Sequence, residues 1–198
     1  YESTAVSVRS QIINMKNDGA DVVVLYTTPA YTAQAISEAD RIGWHPQFLT
    51  SYVNSDEITF QFVSPKLMEN TITYQAYKMA TWTDDPAIAE HLRIMQEYGG
   101  PSPTNFTVYA QSKAELSVEI LSRTCDNLTR EGLMKAVHSI KDWHSDLLLD
   151  EVNISFSETD HTALETGRLL RAVLKDGKGK WEYFGPLYRF EGQVAQEE

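Results

Sequence analysis

Apolar residues follow two rhythms along this chain, and the switch between them divides it. In residues 4–19 (TAVSVRSQIINMKNDG), Val8, Ile12 and Met15 recur at helical spacing and Gly19 stops the run. Asp21–Tyr26 (DVVVLY) follows as a continuous, β-branched stretch. Continuity without alternation predicts a parallel strand covered on both faces. Residues 31–42 predict a second helix, with Ala35, Ile36, Ala39 and Ile42 on one side and Gly43 as its stop. HPQFLTS (45–51) reads as a second strand. Ser55 is placed to cap a short helix in SDEITFQFV, and NTITYQA (70–76) reads as a third strand. Helices that alternate with strands predict an α/β fold, with a parallel sheet built from right-handed crossovers.

From Asp84 to Trp143 only the helical period remains. DDPAIAEHLRIMQEYGG sets Asp85 as a cap with Pro86 at the first helical position. Its apolar stripe is Ile88, Leu92 and Met95, and Gly99 is its stop. Residues 104–123 predict a longer helix, with Ala110, Ala114, Ser117 and Leu121 among its small or apolar positions. Residues 129–140 predict a third, capped by Thr129, with Leu133, Ala136, Val137 and Ile140 inward. The end returns to strand patterning. EVNISFS (151–157) alternates, and RLLRAVLKDGKGKWEYFGPLY (168–188) predicts a hairpin that turns at residues 176–179. A helical block thus interrupts a sheet domain, and its apolar stripes need something to cover them.

Composition narrows the function classes. The 198 residues carry a net charge of −11, with no clustered basic footprint for phosphates, so no nucleic acid partner is expected. No run is long and apolar enough to span a membrane. No basic-then-apolar leader opens these residues, so a signal peptide is expected to have been removed or to lie outside them. The one cysteine, Cys125, cannot form an internal disulfide and is expected to be a small buried or half-buried hydrophobe.

Catalytic and metal motifs are absent. There is no GxSxG nucleophile turn, no GxxxxGK[ST] phosphate loop, no HExxH and no paired CxxC. His144 lies near Asp142, Asp146, Asp150 and Glu151, and His161 follows Asp160. Both read as solvated acidic turns, so no metal ligand, cofactor or catalytic residue is assigned. Asn105, Asn127 and Asn153 begin Asn-x-Ser/Thr triplets, read as chance. The conspicuous chemistry lies where the first strand meets the second helix. There Thr27, Thr28 and Tyr31 offer short hydroxyls, an aromatic ring and the backbone N–H groups of a helix start. The alternative is that Thr28, ahead of Pro29, only starts the helix.

SQIINMKNDGADVVVLYTTP, AISEADRIGWHPQFLTS, DPAIAEHLRIMQEYGGPSPTNFTVYA, LTREGLMKAV and DH…RLLRAVLKDGKGKWEYFGP stand in a characteristic order and spacing. In these the chain resembles the type I periplasmic solute-binding proteins. The nearest branch is the branched-chain amino acid (leucine/isoleucine/valine-type) binding proteins of ABC transporters. The resemblance covers nearly all of the chain but only the later half of such a protein. It implies two α/β lobes that close on a small solute like a flytrap. Residues 1–80 and 150–190 would then be second-lobe sheet, residues 84–145 helices of the first lobe, and 191–198 a tail. It also implies that Thr28, Tyr31 and Tyr52 from one lobe, with Phe106 and Tyr109 from the other, contact ligand. Amino-acid-binding members often carry an acid near Tyr52 to pair with the ligand ammonium. Here the position is tyrosine, and Asp56 and Glu57 are expected to be claimed by a helix start. This departure points away from amino acids and toward an aromatic or aliphatic carboxylate.

The function implied is an extracytoplasmic solute-binding component of an ABC importer, periplasmic or on the cell surface, with a small molecule and a membrane permease as partners. A ligand-sensing domain of a receptor or regulator is the alternative, and an α/β enzyme a more distant one.

Overall fold

The computed structural model describes residues 7–125 and 127–190. The chain divides into two compact units, residues 1–75 with 168–186, and residues 76–167 with 187–198. The predicted helical block, 84–145, falls wholly in the second. Residues 76–80 and 150–167 also belong to it.

In the first unit, β1 (Val22–Leu25), β2 (Gln47–Thr50) and β3 (Ile72–Gln75) form a parallel set, with β1 beside β2 and β2 beside β3. β1 pairs with β2 from Val22↔Gln47 to Leu25↔Thr50. β4 (Thr166–Lys175) then lies antiparallel to β3, from Ile72↔Arg171 to Gln75↔Arg168, and β5 (Lys178–Arg189) completes a five-stranded sheet in the order β1-β2-β3-β4-β5. The hairpin turn is tighter than the four residues expected. Only Asp176 (φ 50°) and Gly177 (φ 75°) lie between β4 and β5, both in the left-handed region that a two-residue turn matching strand twist demands.

The helices α1 (Arg9–Asn17) and α2 (Pro29–Arg41) pack together, and a short α3 (Pro65–Met68), which periodicity does not reveal, packs on α2. Ile12, Ala35, Ile36, Ala39 and Met68 of these helices are buried, as are Val23, Leu25 and Phe48 of the sheet. Each large aliphatic side chain so buried contributes about 1.5–3 kcal/mol. Met15 sits on the rim and is exposed.

The opposite face of β1 is open. Val22 is 52% and Val24 67% exposed, whereas Val23 and Leu25 between them are buried. This overturns the expectation of a strand covered on both faces. A continuous apolar run shows that two faces favour cover, but here the helices of the unit supply it on one side only.

In the second unit, α4 (Pro86–Glu97), α5 (Asn105–Thr124) and α6 (Arg130–His138) start where their caps predict. Asp85 accepts hydrogen bonds from the N–H groups of Ala87 and Ile88, and Thr129 from that of Gly132. At the head of α5, the Thr104 N–H donates to Thr107 Oγ1. Residues 76–78 pair with 147–149 through Lys78 N–H to Leu147 O and Leu149 N–H to Ala76 O. The core gathers Ile88, Val108, Ile140, Leu148, Val152 and Ile154.

His91 is fully buried between α4 and α5. Its Nδ1 lies 2.7 Å from Gln111 Oε1 and its Nε2 2.8 Å from Thr107 Oγ1. Because Gln111 Nε2 donates to Glu115, Gln111 Oε1 must accept, so Nδ1 carries the proton.

Three expectations fail in this unit. EVNISFS forms no strand. Glu151 has φ 66°, and only Ile154 pairs, in an isolated bridge with Trp143. Its alternation records burial of Val152 and Ile154 and not a ladder. Leu133, expected inward, is exposed. The small or apolar positions 110, 114, 117 and 121 of α5, for which the sequence assigned no inward face, are exposed as well. The buried side of α5 runs instead through Asn105, Val108, Tyr109 and Ser112. Cys125 is exposed, because it follows the last turn of α5, where its thiol donates to Ser122 O.

Candidate functional site

The carboxyl ends of β1 and β2 are tied together by a buried polar network. Asn54 Nδ2 donates to the Thr27 carbonyl at 2.9 Å, so the loop after β2 holds the loop after β1. Thr27 Oγ1 lies 2.6 Å from Thr32 Oγ1, which commits that hydroxyl to the first turn of α2. Thr59 Oγ1 donates to the Asn54 carbonyl, Thr73 Oγ1 to the carbonyls of Thr50 and Ser51, and Gln75 Nε2 to Ser55 Oγ at 2.7 Å. Asn54, Ser55, Thr59 and Gln75 are each completely buried. Paired polar groups of this kind, in a low-dielectric interior, hold a loop in one geometry. Asn54 Oδ1 alone is buried with no hydrogen-bond partner among the described residues.

Thr28 occupies the N-cap position of α2 with extended backbone (φ −70°, ψ 159°), and Pro29 follows at the first helical position. Its hydroxyl makes no capping hydrogen bond. The helix start therefore keeps its positive end without a side-chain acceptor from its own cap. Tyr31 lies in the first turn of α2, half-buried. Ser55 is not the cap of the short 3-10 turn Glu57–Gln61. Asp56 is, accepting from the Ile58 N–H at 2.8 Å, because a carboxylate one residue closer reaches the amide that the Ser55 hydroxyl cannot. This places Asp56 where the sequence expected it, claimed by a helix start. Burial is the largest influence on the Glu57 carboxyl and raises it. The charge of Lys180 opposes this and that of Asp56 adds to it, with a net rise.

Tyr52, at the end of β2, meets a residue that motif reading missed. Its ring lies 5.8 Å from that of Tyr74 in β3, at a tilt of 59°. The Tyr74 phenol is raised above its ordinary value, first by burial, then by the neighbouring phenols of Tyr26 and Tyr52. Three tyrosines thus gather near the carboxyl ends of three adjacent strands, Tyr26 with 77% of its surface exposed. The available signal was parity: Tyr26 continues the exposed alternation of Val22 and Val24, and Tyr74 stands between buried Thr73 and Gln75.

Phe106 and Tyr109 belong to the second unit. Tyr109 is buried at 5% exposure, its ring 4.6 Å from Tyr77, and Phe106 stands edge-on to it at 5.9 Å with 40% exposed. The five candidate residues therefore form two groups, Thr28, Tyr31 and Tyr52 in the first unit, Phe106 and Tyr109 in the second. Among the described residues no three His, Cys, Asp or Glu side chains converge as a metal site, and no helix is long and apolar enough to cross a membrane.

The sequence model described as "Periplasmic binding protein" matches residues 1–178. The chain belongs to the periplasmic binding protein family. No curated protein matches this periplasmic binding protein in sequence. Among solved structures it is similar to a branched-chain amino acid ABC transporter protein from Thermus thermophilus with bound valine. That match has a TM-score of 0.69 at 20% identity and covers 93% of this chain and 51% of that one. It is similar to a fatty acid ABC transporter substrate-binding protein from Thermomonospora curvata, with a TM-score of 0.69 at 20% identity over 96% and 48%. A solute-binding protein of an ABC transporter from Rhodopseudomonas palustris HaA2, in complex with p-hydroxybenzoic acid, matches with a TM-score of 0.71 at 15% identity over 98% and 52%. At these identities the shared property is the type I fold of a periplasmic binding protein. The chain spans about half the length of each of these structures.

Proposed function

We propose that the chain supplies the later half of an extracytoplasmic solute-binding component of an ABC importer, which takes up a small carboxylate, aromatic acids included. One observation carries the reading: the α2 start, where the Thr28 hydroxyl makes no capping bond, stands at the end of β1 in a loop braced by Asn54. A helix start of this kind suits a carboxylate, through its N–H groups and dipole. The tyrosines 26, 52 and 74 supply aromatic faces with hydroxyl tips, the lining a small aromatic or aliphatic body needs. Asp56, committed to its own cap, favours a ligand without an ammonium over a free amino acid.

Thr28, Tyr31 and Tyr52 are proposed contacts from the second lobe (residues 1–80 and 150–190), and Phe106 and Tyr109 from helices of the first (84–145). Binding shifts an open–closed equilibrium of the two lobes, and the closed form is the one presented to the permease. The role is non-enzymatic.

The test is a thermal-shift screen of the full-length protein against aromatic acids, short fatty acids, amino acids and amides. A true ligand at about 100 times its Kd stabilises the native state by about 2.7 kcal/mol. A raised midpoint with aromatic or aliphatic acids supports the reading. A response confined to amino acids overturns the ligand class, and turnover of any compound overturns the binding role.

A further inference from the structure

Away from the strand ends, the second unit holds a pair of side chains that neither the fold nor the proposed site uses. His138, in the last turn of α6, and His161, in the following turn region, bring their Nε2 atoms to 3.2 Å. The rings are nearly parallel in plane, 10° apart, with centroids 5.3 Å from one another. The Nε2 atoms are much closer together than the ring centroids, so the two rings face each other through these nitrogens. That geometry suits an N–H···N hydrogen bond in which one Nε2 donates and the other accepts.

We propose that His138 and His161 form a two-imidazole site for a borderline divalent transition-metal ion such as Zn²⁺, Ni²⁺ or Cu²⁺. Two imidazole nitrogens bound tetrahedrally to one zinc, at about 2.0–2.1 Å each, stand about 3.3 Å apart. The pair is already at that separation, so turning each ring, half-buried at His138 and exposed at His161, aims both lone pairs at one point. The Nε2 proton moves to the free Nδ1 through solvent, so both rings bind as neutral imidazoles and no electron is exchanged.

Both partners are anchored. His138 is held by α6, whose C-terminal dipole favours a cation beside it. His161 follows a turn closed by Ser157 N–H to Asp160 O, Asp160 N–H to Ser157 Oγ and Thr162 N–H to Asp160 Oδ1. The chain's net charge of −11 draws cations toward it. Because no third protein ligand converges among the described residues, solvent completes the shell. The ion clamps the end of α6 to the 157–162 turn. Imidazole ligation selects copper, nickel and zinc over the hard cations Mg²⁺ and Ca²⁺.

The experiment is calorimetric titration of tag-free, full-length protein at neutral pH with ZnCl₂, NiCl₂, CuCl₂ and MgCl₂, repeated on H138A, H161A and the control H45A. His45 is an exposed residue of the first unit. The expected result is one ion per chain, tightest for Cu²⁺, none for Mg²⁺, and a loss of at least about tenfold in affinity in each of H138A and H161A, with H45A unchanged. Metal-free melts of the three variants that match the parent show that folding is intact. No binding tighter than about 1 mM overturns the proposal. So does binding that survives in either single variant, or that Mg²⁺ supports equally.

Discussion

Removing the Asp85 carboxylate tests how the second unit is held together. Two interactions are lost in Asp85→Ala. The first is the cap, in which Oδ1 accepts from the Ala87 N–H at 2.9 Å and the Ile88 N–H at 3.2 Å. Cap removal of this kind costs about 1 kcal/mol. The second is the ion pair, Lys78 Nζ to Oδ2 at 2.9 Å, between side chains only 14% and 22% exposed. An exposed pair contributes about 0–1 kcal/mol, and breaking a buried one costs about 3–5, so a half-buried pair sits near the bottom of that gap, at about 1 kcal/mol. Asp85→Ala is therefore expected to destabilise by about 2 kcal/mol. Asp85→Asn keeps a good cap and loses only the charge, so it is expected to cost about half as much.

The pH dependence follows from the carboxyl itself. Burial is the largest single influence and raises it. The Lys78 hydrogen bond and charge and the amides of Ile88 and Ala87 together outweigh burial and hold the group below its ordinary value. A depressed carboxyl contributes stability above the unfolded value, about 3.9, and loses it as pH falls through the folded value. The gap between parent and Asp85→Asn should be constant near neutrality and close in acid. Urea unfolding followed by far-UV circular dichroism, with hydrogen exchange of the amides in 86–97, measures it. An Asp85→Ala protein within about 0.5 kcal/mol of the parent refutes the reasoning, as does an Asp85→Asn gap that persists in acid.

Two further outcomes are expected. In the full-length protein, Tyr52→Ala is expected to weaken ligand binding by about tenfold or more through loss of an aromatic face, while Tyr52→Phe changes it less; equal loss in both would assign the effect to the hydroxyl. In α6, a Cβ on Gly132 would stand 2.1 Å from the Asn127 carbonyl oxygen, which is backbone and cannot swing away. Gly132→Ala should cost about 1–3 kcal/mol in a chemical melt, and an unchanged midpoint would show that the 127–132 turn yields freely.

The fold was most legible where the information is local. Asp85–Pro86 and Thr129 announce helix starts because a cap is completed within three residues, and they stand where expected. Burial that depends on distant partners was not legible. His91 reads as a polar break in the Ile88–Leu92–Met95 stripe, yet it is buried because Gln111 and Thr107 reach it from α5. EVNISFS alternates as a strand should, but alternation says which side chains turn inward and nothing about a neighbour to pair with. The candidate site was half legible. Thr28 and Tyr52 stand out in loops after strands, whereas Tyr74 is seen only in its ring contact with Tyr52, and Tyr26 only in the exposed parity of Val22 and Val24.

The pairing of Gln75 with Arg168 has a consequence for how this protein can be rebuilt. The first unit releases the chain from one strand and takes it back on the hydrogen-bonded rung directly beside it, so everything between is an insertion whose two ends touch. Insertions with adjoining ends are the ones that permutation and grafting tolerate. Residues 76–165 can be replaced by a short β-turn, with the order β1-β2-β3-β4-β5 unaltered. The sheet would then serve as an exchangeable socket, in which one scaffold accepts different helical modules between β3 and β4.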